Sequence, residues 1–373
     1  MSTIAQERTT PQTVTEPAPP APPGPVGPVG SVVGGVDTHR DTHTAAVVDD
    51  GGRLLGHRQF ATTTAGYRQM VAWLGSFGDL QVVGIEGSSS YGAGLAAFLA
   101  GQQVPIVEVD RPDRATRRRV GKSDPIDAEA AARAALGGVR TSTAKDHTGI
   151  VESIRVLRVA RRSAVAHRAD VLRQIRTLIV TAPEPLRHRL RHLPLRQLLR
   201  VCAGLRPDLS WLHDPEQATK LALQDLARRH ATLTTEITAL DAHLEVLVTA
   251  ANPGLLDLPG VGTDVAGQLL VTAGQNPHRI SSDAAFAMLC GAAPIPASSG
   301  RTHRHRLNRG GDRQANAALH RVVVVRLKYH APTRAYLERR TTEGLSKKDI
   351  MRCLKRAVAR EVFRELTRPP RTP

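Results

Sequence analysis

The sequence predicts an α/β layer built on a mixed sheet, followed by an all-helical middle and a mostly helical C-terminal third. Three observations carry this. Short apolar runs alternate with helical stretches up to about Gly138, an arginine-rich helical region with heptad-spaced leucines follows, and Gly/Pro-punctuated helices begin at Pro253.

Residues 1–30 hold eight of the 25 prolines and are expected to form a disordered leader. Runs 32–36, 44–48 and 54–60 read as strands joined by short turns such as Asp49-Asp50-Gly51-Gly52. A helix is expected at 67–74, a buried strand at 81–85, a helix at 94–100, a strand at 105–109, and an Ala-rich helix from Asp124. Three strands joined by turns, then strands alternating with helices, indicate a mixed sheet. In the middle, Ile150, Ile154, Leu157, Val165, Leu172, Ile175 and Leu178 form an apolar stripe on an arginine-rich helix. Leu226, His230, Leu233, Ile237, Leu240, Leu244 and Leu247 alternate steps of four and three, the spacing of a coiled coil, with His230 a packing or register residue. The organisation is therefore a 1–30 leader, a 31–140 sheet domain, a 141–250 basic helical and coiled-coil domain, a 251–368 C-terminal domain and a 369–373 tail.

The chain has 373 residues, 41% of them apolar, which is ample for real cores and excludes wholesale disorder. Three scattered cysteines exclude a disulfide framework and a Cys-based zinc module, and a cytoplasmic protein fits. No apolar run spans a membrane and the N-terminus lacks a signal-peptide pattern, so no membrane partner is expected. The net charge of +17 points to a polyanion. Only seven of 51 basic residues are lysine, which suits bidentate phosphate contact but equally suits a GC-rich coding sequence. Residues 145–200 carry 13 Lys/Arg against four acids, including Arg155, Arg158, Arg161 and Arg162; residues 301–328 carry eight against one. Such lopsided segments fit a surface that tracks phosphates better than a merely solvated face. With 3% aromatics, backbone contact is expected rather than base stacking.

Acidic residues stand where elements stop or start. Asp37 closes the first strand, Glu86 closes a later one, and Asp124 and Asp127 share one face at a helix start with Pro125 in its first turn. Converging carboxylates repel unless hard cations such as Mg²⁺ neutralise them. On spacing alone, a helix cap with a dipole partner and two solvated turn acids explains the same residues.

Gly35-Val36-Asp37, then Ile85-Glu86-Gly87 with Tyr91 a turn later, then Lys122-Ser123-Asp124-Pro125-Ile126-Asp127-Ala128 together resemble the DEDD transposases of the IS110 insertion-sequence family in order and spacing. The resemblance implies a RuvC-like, RNase H-like N-terminal domain. It also implies a catalytic, Mg²⁺-binding tetrad of Asp37, Glu86, Asp124 and Asp127. Asp41 shares the loop with Asp37, but Asp37 directly follows the apolar strand.

Further on, the segment from Leu255 to Gly262, followed by Ala266 and Leu269, fits a helix–hairpin–helix turn whose Gly260 and Gly262 present backbone N–H groups to phosphate. A tight helix–helix connection uses the same residues. In Ser298-Ser299-Gly300, followed by Arg301, Arg304, Arg306 and Arg309, the loop serine reads as a loop residue on its own. The resemblance makes Ser299 the nucleophile that links covalently to DNA, with the arginines neutralising the pentacovalent charge. Two departures from the family pattern are Gly291-Ala292-Ala293 and Asn316, which bear on local packing.

The function implied is a transposase/recombinase acting on donor and target DNA, guided by a structured RNA. It would work as a homo-oligomer (dimer or tetramer) with the heptad seam as dimerising element. The alternatives are a RuvC-like nuclease using only the tetrad, or a non-catalytic nucleic-acid-binding remnant.

Overall fold

A computed structural model describes residues 29–109, 123–139, 141–298, 300 and 304–368. Most of the leader and the whole C-terminal tail expected from the sequence lie outside the described residues, as do Lys122, Ser299 and Arg301. The chain divides into two units, one ending at Ala144 and the other starting at Lys145.

The first unit is a six-stranded sheet made of β1 (Val29–Thr38), β2 (Thr42–Asp49), β3 (Leu54–Ala61), β4 (Gly78–Ile85), β5 (Ile106–Val109) and β6 (Thr141–Thr143). Its order is β3-β2-β1-β4-β5-β6. Tight turns make β1–β2 and β2–β3 antiparallel, whereas helical crossovers leave β1–β4 and β4–β5 parallel, and β6 closes the far edge antiparallel. The mixed sheet is consistent with an RNase H-like domain.

Strand alternation assigns the two faces. Val32 and Val36 join Met70 and Leu74 of α1 (Thr64–Gly75) and Leu95 and Leu99 of α2 (Ala93–Gly101) in one core. Val33 packs with Ala132 of α3 (Asp124–Gly137) on the other face. There the sheet offers bare backbone. A Cβ on Gly35 would stand 2.0 Å from the Ala132 nitrogen, and one on Gly84 would stand 2.7 Å from the Ala131 carbonyl oxygen. The helix backbone therefore rests directly on β1 and β4. Ala128 and Ala132 lie over Gly35 while Leu136 reaches Gly52, so α3 runs antiparallel to β1 and its N-terminus meets the strand's C-terminal end.

The second unit is helical: α4 (Gly149–Thr181), α5 (Glu184–Leu190), α6 (Leu195–Ala203), α7 (Pro215–Ala251), α8 (Pro253–Leu256), α9 (Thr263–Ala273), α10 (Asp283–Leu289), α11 (Arg313–Tyr329), α12 (Ala331–Thr342) and α13 (Lys347–Thr367). Helices α4 and α7 pair antiparallel. Val171, Ile175 and Ile179 meet Leu223 and Ala227 at one end, and Val151 and Ile154 meet Leu244 and Val248 at the other. Of the heptad seam on α7, Ile237 and Leu244 are buried while Leu226, His230, Leu233, Leu240 and Leu247 stay half-buried, and the buried line runs instead through Leu223, Ala227 and Val248 as well. The buried line on α4 keeps Ile154 and Ile175 from the expected stripe but runs through Val151, Ala164, Val171 and Ile179, one position off elsewhere. A single core then joins this helix pair to Leu255, Leu269, Phe286, Leu319, Val358 and Val362, so residues on both sides of 250 share one interior. A short hairpin, β7 (Ile295–Pro296) with β8 (His305–Arg306), was not foreseen from sequence; Ser298 and Gly300 lie between its strands.

The glycine contact sets a clear expectation. Gly35→Ala overpacks the α3 interface and should cost about 3 kcal/mol or more. Gly75→Ala, where an added Cβ meets open space at a helix end, should be neutral or stabilising by up to about 1 kcal/mol. Thermal and urea unfolding of the two variants checks this; equal effects contradict the packing role of Gly35.

Candidate metal centre

Three chain segments supply the acids. Val36 pairs with Ile85 in parallel register, so the next residues, Asp37 and Glu86, stand side by side at the strand ends. The Glu86 N–H donates to the Val36 carbonyl, and the Thr38 hydroxyl donates to the Glu86 carbonyl at 2.8 Å, which locks the two ends together. The Gly87-Ser88 turn that follows is held by Glu108 of β5, whose carboxylate accepts the N–H groups of Gly87 and Ser88 at 3.2 and 3.0 Å, and the Ser88 hydroxyl. On the opposite side, the glycine-docked helix delivers Asp124 and Asp127 in its first turn.

Asp37 and Asp127 are both buried, at 9% and 7% exposure, while Asp124 stays half-exposed. Burial raises the Asp37 carboxyl above its ordinary value; His39 opposes the rise, and the Asp127 and Asp124 charges push it further up. The crowding of like charge expected from the sequence is therefore present at Asp37.

His39 was missed by sequence reasoning. Its Nε2 lies 3.2 Å from Asp37 Oδ2 and 3.3 Å from Asp124 Oδ1, closed off from solvent and aligned for a hydrogen bond with neither. Asp37, His39 and Asp124 each offer one ligand atom within 4.8 Å of the others, a donor set able to hold a metal ion. The available signal was spacing, since residue i+2 along a strand shares the face of residue i.

The basic residues divide differently from the sequence expectation. Arg155 is paired with Glu152 at 2.6 Å. Arg158 donates to Asp264 Oδ1 at 2.7 Å and Gln268 Oε1 at 3.0 Å. Arg161 binds Asp241 and lies 3.3 Å from Asp264, which also meets Arg321 at 2.6 Å. Three guanidinium groups thus converge on one carboxylate, Arg158 and Arg161 from largely buried positions and Arg321 from the surface. Arg162 is exposed and has no ion pair among the described residues. Arg304, Arg306 and Arg309 are exposed just before, in and after β8.

The Pro259-Gly260 turn is pinned from within. Gly260 has φ +76° and packs on α11, and buried Arg326 donates to the Pro259 carbonyl at 2.7 Å while gripping Glu361 with two further bonds. Gly262 is exposed and caps α9. The cavity at that helix start, about 340 Å³, is lined by Asp241, Glu245 and Asp264 as well as Arg161 and Arg321, so its charge is mixed. The turn has the makings of a tight helix connection.

Residues 34–182 match a family model of DEDD transposases of the IS110 type, described as Transposase, and residues 253–338 match one described as Transposase IS116/IS110/IS902 family. The chain is also similar to a Streptomyces coelicolor protein named as a mini-circle transposase for IS117, at 26% identity over 72% of this chain and 78% of the relative. A DEDD family implies a divalent metal, and the donors gathered at Asp37 fit one.

The arginine cluster separates strut from surface. Arg158→Ala leaves Asp264 short of a buried partner and should cost about 3 kcal/mol, whereas Arg162→Ala should stay within about 0.5 kcal/mol. Burial alone would raise the Asp264 carboxyl, but Arg158, Arg321 and Arg161 bring it below its ordinary 3.8. Its contribution is therefore present above pH 3.8 and lost as pH falls through the lowered folded value. Unfolding of Asp264→Asn against pH should lack that acid limb; an unchanged limb contradicts the assignment.

Proposed function

The chain belongs to the IS110-family transposases and is a DNA transposase/recombinase, and from that premise we propose that it cuts and exchanges DNA strands with Mg²⁺ held at Asp37, Glu86, Asp124 and Asp127 and with Ser299 as nucleophile. The observation that carries the metal reading is the buried, charge-crowded Asp37 beside Asp124 and Asp127. Oxygen donors dominate this set, the chemistry that Mg²⁺ prefers. A divalent cation there supplies neutralisation of the charge that develops on a phosphodiester as it is cut.

The chain's own groups have separable tasks. The buried carboxylates of Asp37 and Asp127 present negative charge with little water to displace. His39 Nε2 stands 3.2 Å from Asp37 Oδ2 and 3.3 Å from Asp124 Oδ1, between the two carboxylates. Glu108 fixes the turn after Glu86 and so its direction of approach.

In the proposed strand transfer the Ser299 hydroxyl oxygen bonds to the phosphorus, the bond from phosphorus to the leaving DNA oxygen breaks, and the serine proton ends on that leaving oxygen. A hydroxyl of the incoming strand then displaces the serine, which recovers its proton, so no net hydrolysis occurs. The family resemblance supports the serine, with Arg301, Arg304, Arg306 and Arg309 following it in sequence. It also supports a structured guide RNA and a homo-oligomer, dimer or tetramer, as parts of the same reading. Exposed Arg162 fits a nucleic-acid contact better than the internally paired Arg155, Arg158 and Arg161. Gly260 and Gly262 contribute less in this reading, because the turn that carries them is braced from inside.

Strand cleavage and exchange on a DNA carrying the element's ends tests the two halves separately. Asp124→Asn should lose all Mg²⁺-dependent cleavage, by at least about a thousandfold if the carboxylate holds the metal. Ser299→Ala should abolish the covalent protein–DNA adduct seen on a denaturing gel. Full strand exchange by Ser299→Ala contradicts the serine mechanism and leaves a water-using nuclease.

A further inference from the structure

A cavity of about 760 Å³ lies in the second unit. One wall comes from the basic run, through Arg304 and Arg306; the other comes from α12 and α13, through Arg340, Arg352, Lys355 and Arg356. Asp349 is its one acidic lining residue among those described. A second cavity of about 640 Å³ shares Arg306 and Arg352 and adds Arg309, with no acid among its described lining residues. Together they make a cationic groove.

The guanidinium groups of the far wall are held with donors to spare. Arg356 gives Nη2 to Asp283 at 2.8 Å, and its Nη1 is closed off from solvent without a partner. Arg340 gives Nη1 to Glu343, and its Nε is likewise buried and unpaired. Arg352 is braced by Asp349 at 2.8 Å. The described lining sets Arg304, Arg306, Arg340, Arg352, Lys355 and Arg356 against the single carboxylate of Asp349, an excess of positive charge that a polyanion would neutralise. The rim is built for the purpose. Asn316 accepts from Lys355 Nζ at 2.9 Å and donates to the Gly291 carbonyl at 2.7 Å, tying α11 and α13 to the loop that forms the cavity's edge. This is the residue that departs from the apolar pattern of the family.

We propose that this groove is a binding site for nucleic-acid phosphodiester backbone, and that Arg340, Arg352 and Arg356 form its far wall. These three residues fall beyond residue 338, where the match to the family model ends. No Phe, Tyr or Trp is among the described lining residues, so the contact reads phosphate and not base. The proposal rests on the reading that the basic run handles nucleic acid, but its far wall adds Arg340, Arg352 and Arg356, so it fails separately.

Anisotropy of a short labelled DNA duplex of arbitrary sequence, titrated with the full chain over a range of salt, tests it. Arg340→Gln/Arg356→Gln should bind about tenfold more weakly, with the salt slope reduced by about two. Arg228→Gln/Arg229→Gln, a charge-matched change on exposed α7 positions, should bind like the parent. If Arg304→Gln/Arg306→Gln weakens binding while the far-wall variant matches the charge control, the basic run stands and the groove falls. If neither pair changes binding, both readings fall. Because Arg356 also braces Asp283, phenylglyoxal modification of the unmutated chain gives a second readout. Arg340 and Arg356 should be protected by the duplex; modification undiminished at saturating duplex overturns the proposal. Equal competition by RNA duplex identifies backbone of either kind and supports the site, whereas displacement by millimolar inorganic phosphate alone makes it a free-anion site and overturns it.

Discussion

The closest approach in the first unit is between helix backbone and strand backbone, and it is allowed only because Gly35 and Gly84 have no side chain. A helix normally packs on a sheet through the side chains of both. Here α3 comes nearer, with alanines at the contact. That contact fixes three things at once: the direction of α3, the depth of its first turn, and the meeting of Asp124 and Asp127 with Asp37. The chain thereby concentrates negative charge at a place where burial makes charge expensive. Such an arrangement is poor for stability by itself, and it is sensible for a site that must hold cations.

Charge has the opposite sign and a different use in the second unit. Several of the arginines are tied up in ion pairs within the fold. Asp264 draws in Arg158, Arg161 and Arg321, Glu361 holds Arg326 against the Pro259 carbonyl, and Asp283 meets Arg356 and Arg360. Planar guanidinium forks suit this bracing because one group can bridge several acceptors. A high arginine content therefore does not translate directly into nucleic-acid surface. The surface is the subset left exposed or left with unpaired donors.

Legibility in the sequence followed the range of the interactions. The strands, the helix start at Asp124 and the acids at element ends depend on neighbouring residues, and apolar runs, Pro125 and turn chemistry marked them. The heptad seam of α7 was visible for the same reason. Its partner was not: the pairing with α4 joins residues far apart in the chain, so the seam could be read as an interface between copies. Arg158 and Arg161 looked like free cations because their acids lie 106 and 80 residues away. His39 lies two residues beyond Asp37, within reach of the strand period, but a lone histidine carries no charge pattern of its own. The far wall of the cationic groove belongs to helices whose own sequence gives no sign of facing the loop at 291–309.

The central claim is that the acids gathered by the α3 docking hold divalent cations. Mn²⁺ binding to the full chain, followed by the loss of the free-ion electron paramagnetic resonance signal, addresses it without any DNA. Wild type should take up Mn²⁺ saturably, and Asp37→Asn and Asp124→Asn, shown to be folded by circular dichroism, should each lose that uptake. Equal uptake by the wild type and both variants would contradict a metal centre at the end of β1.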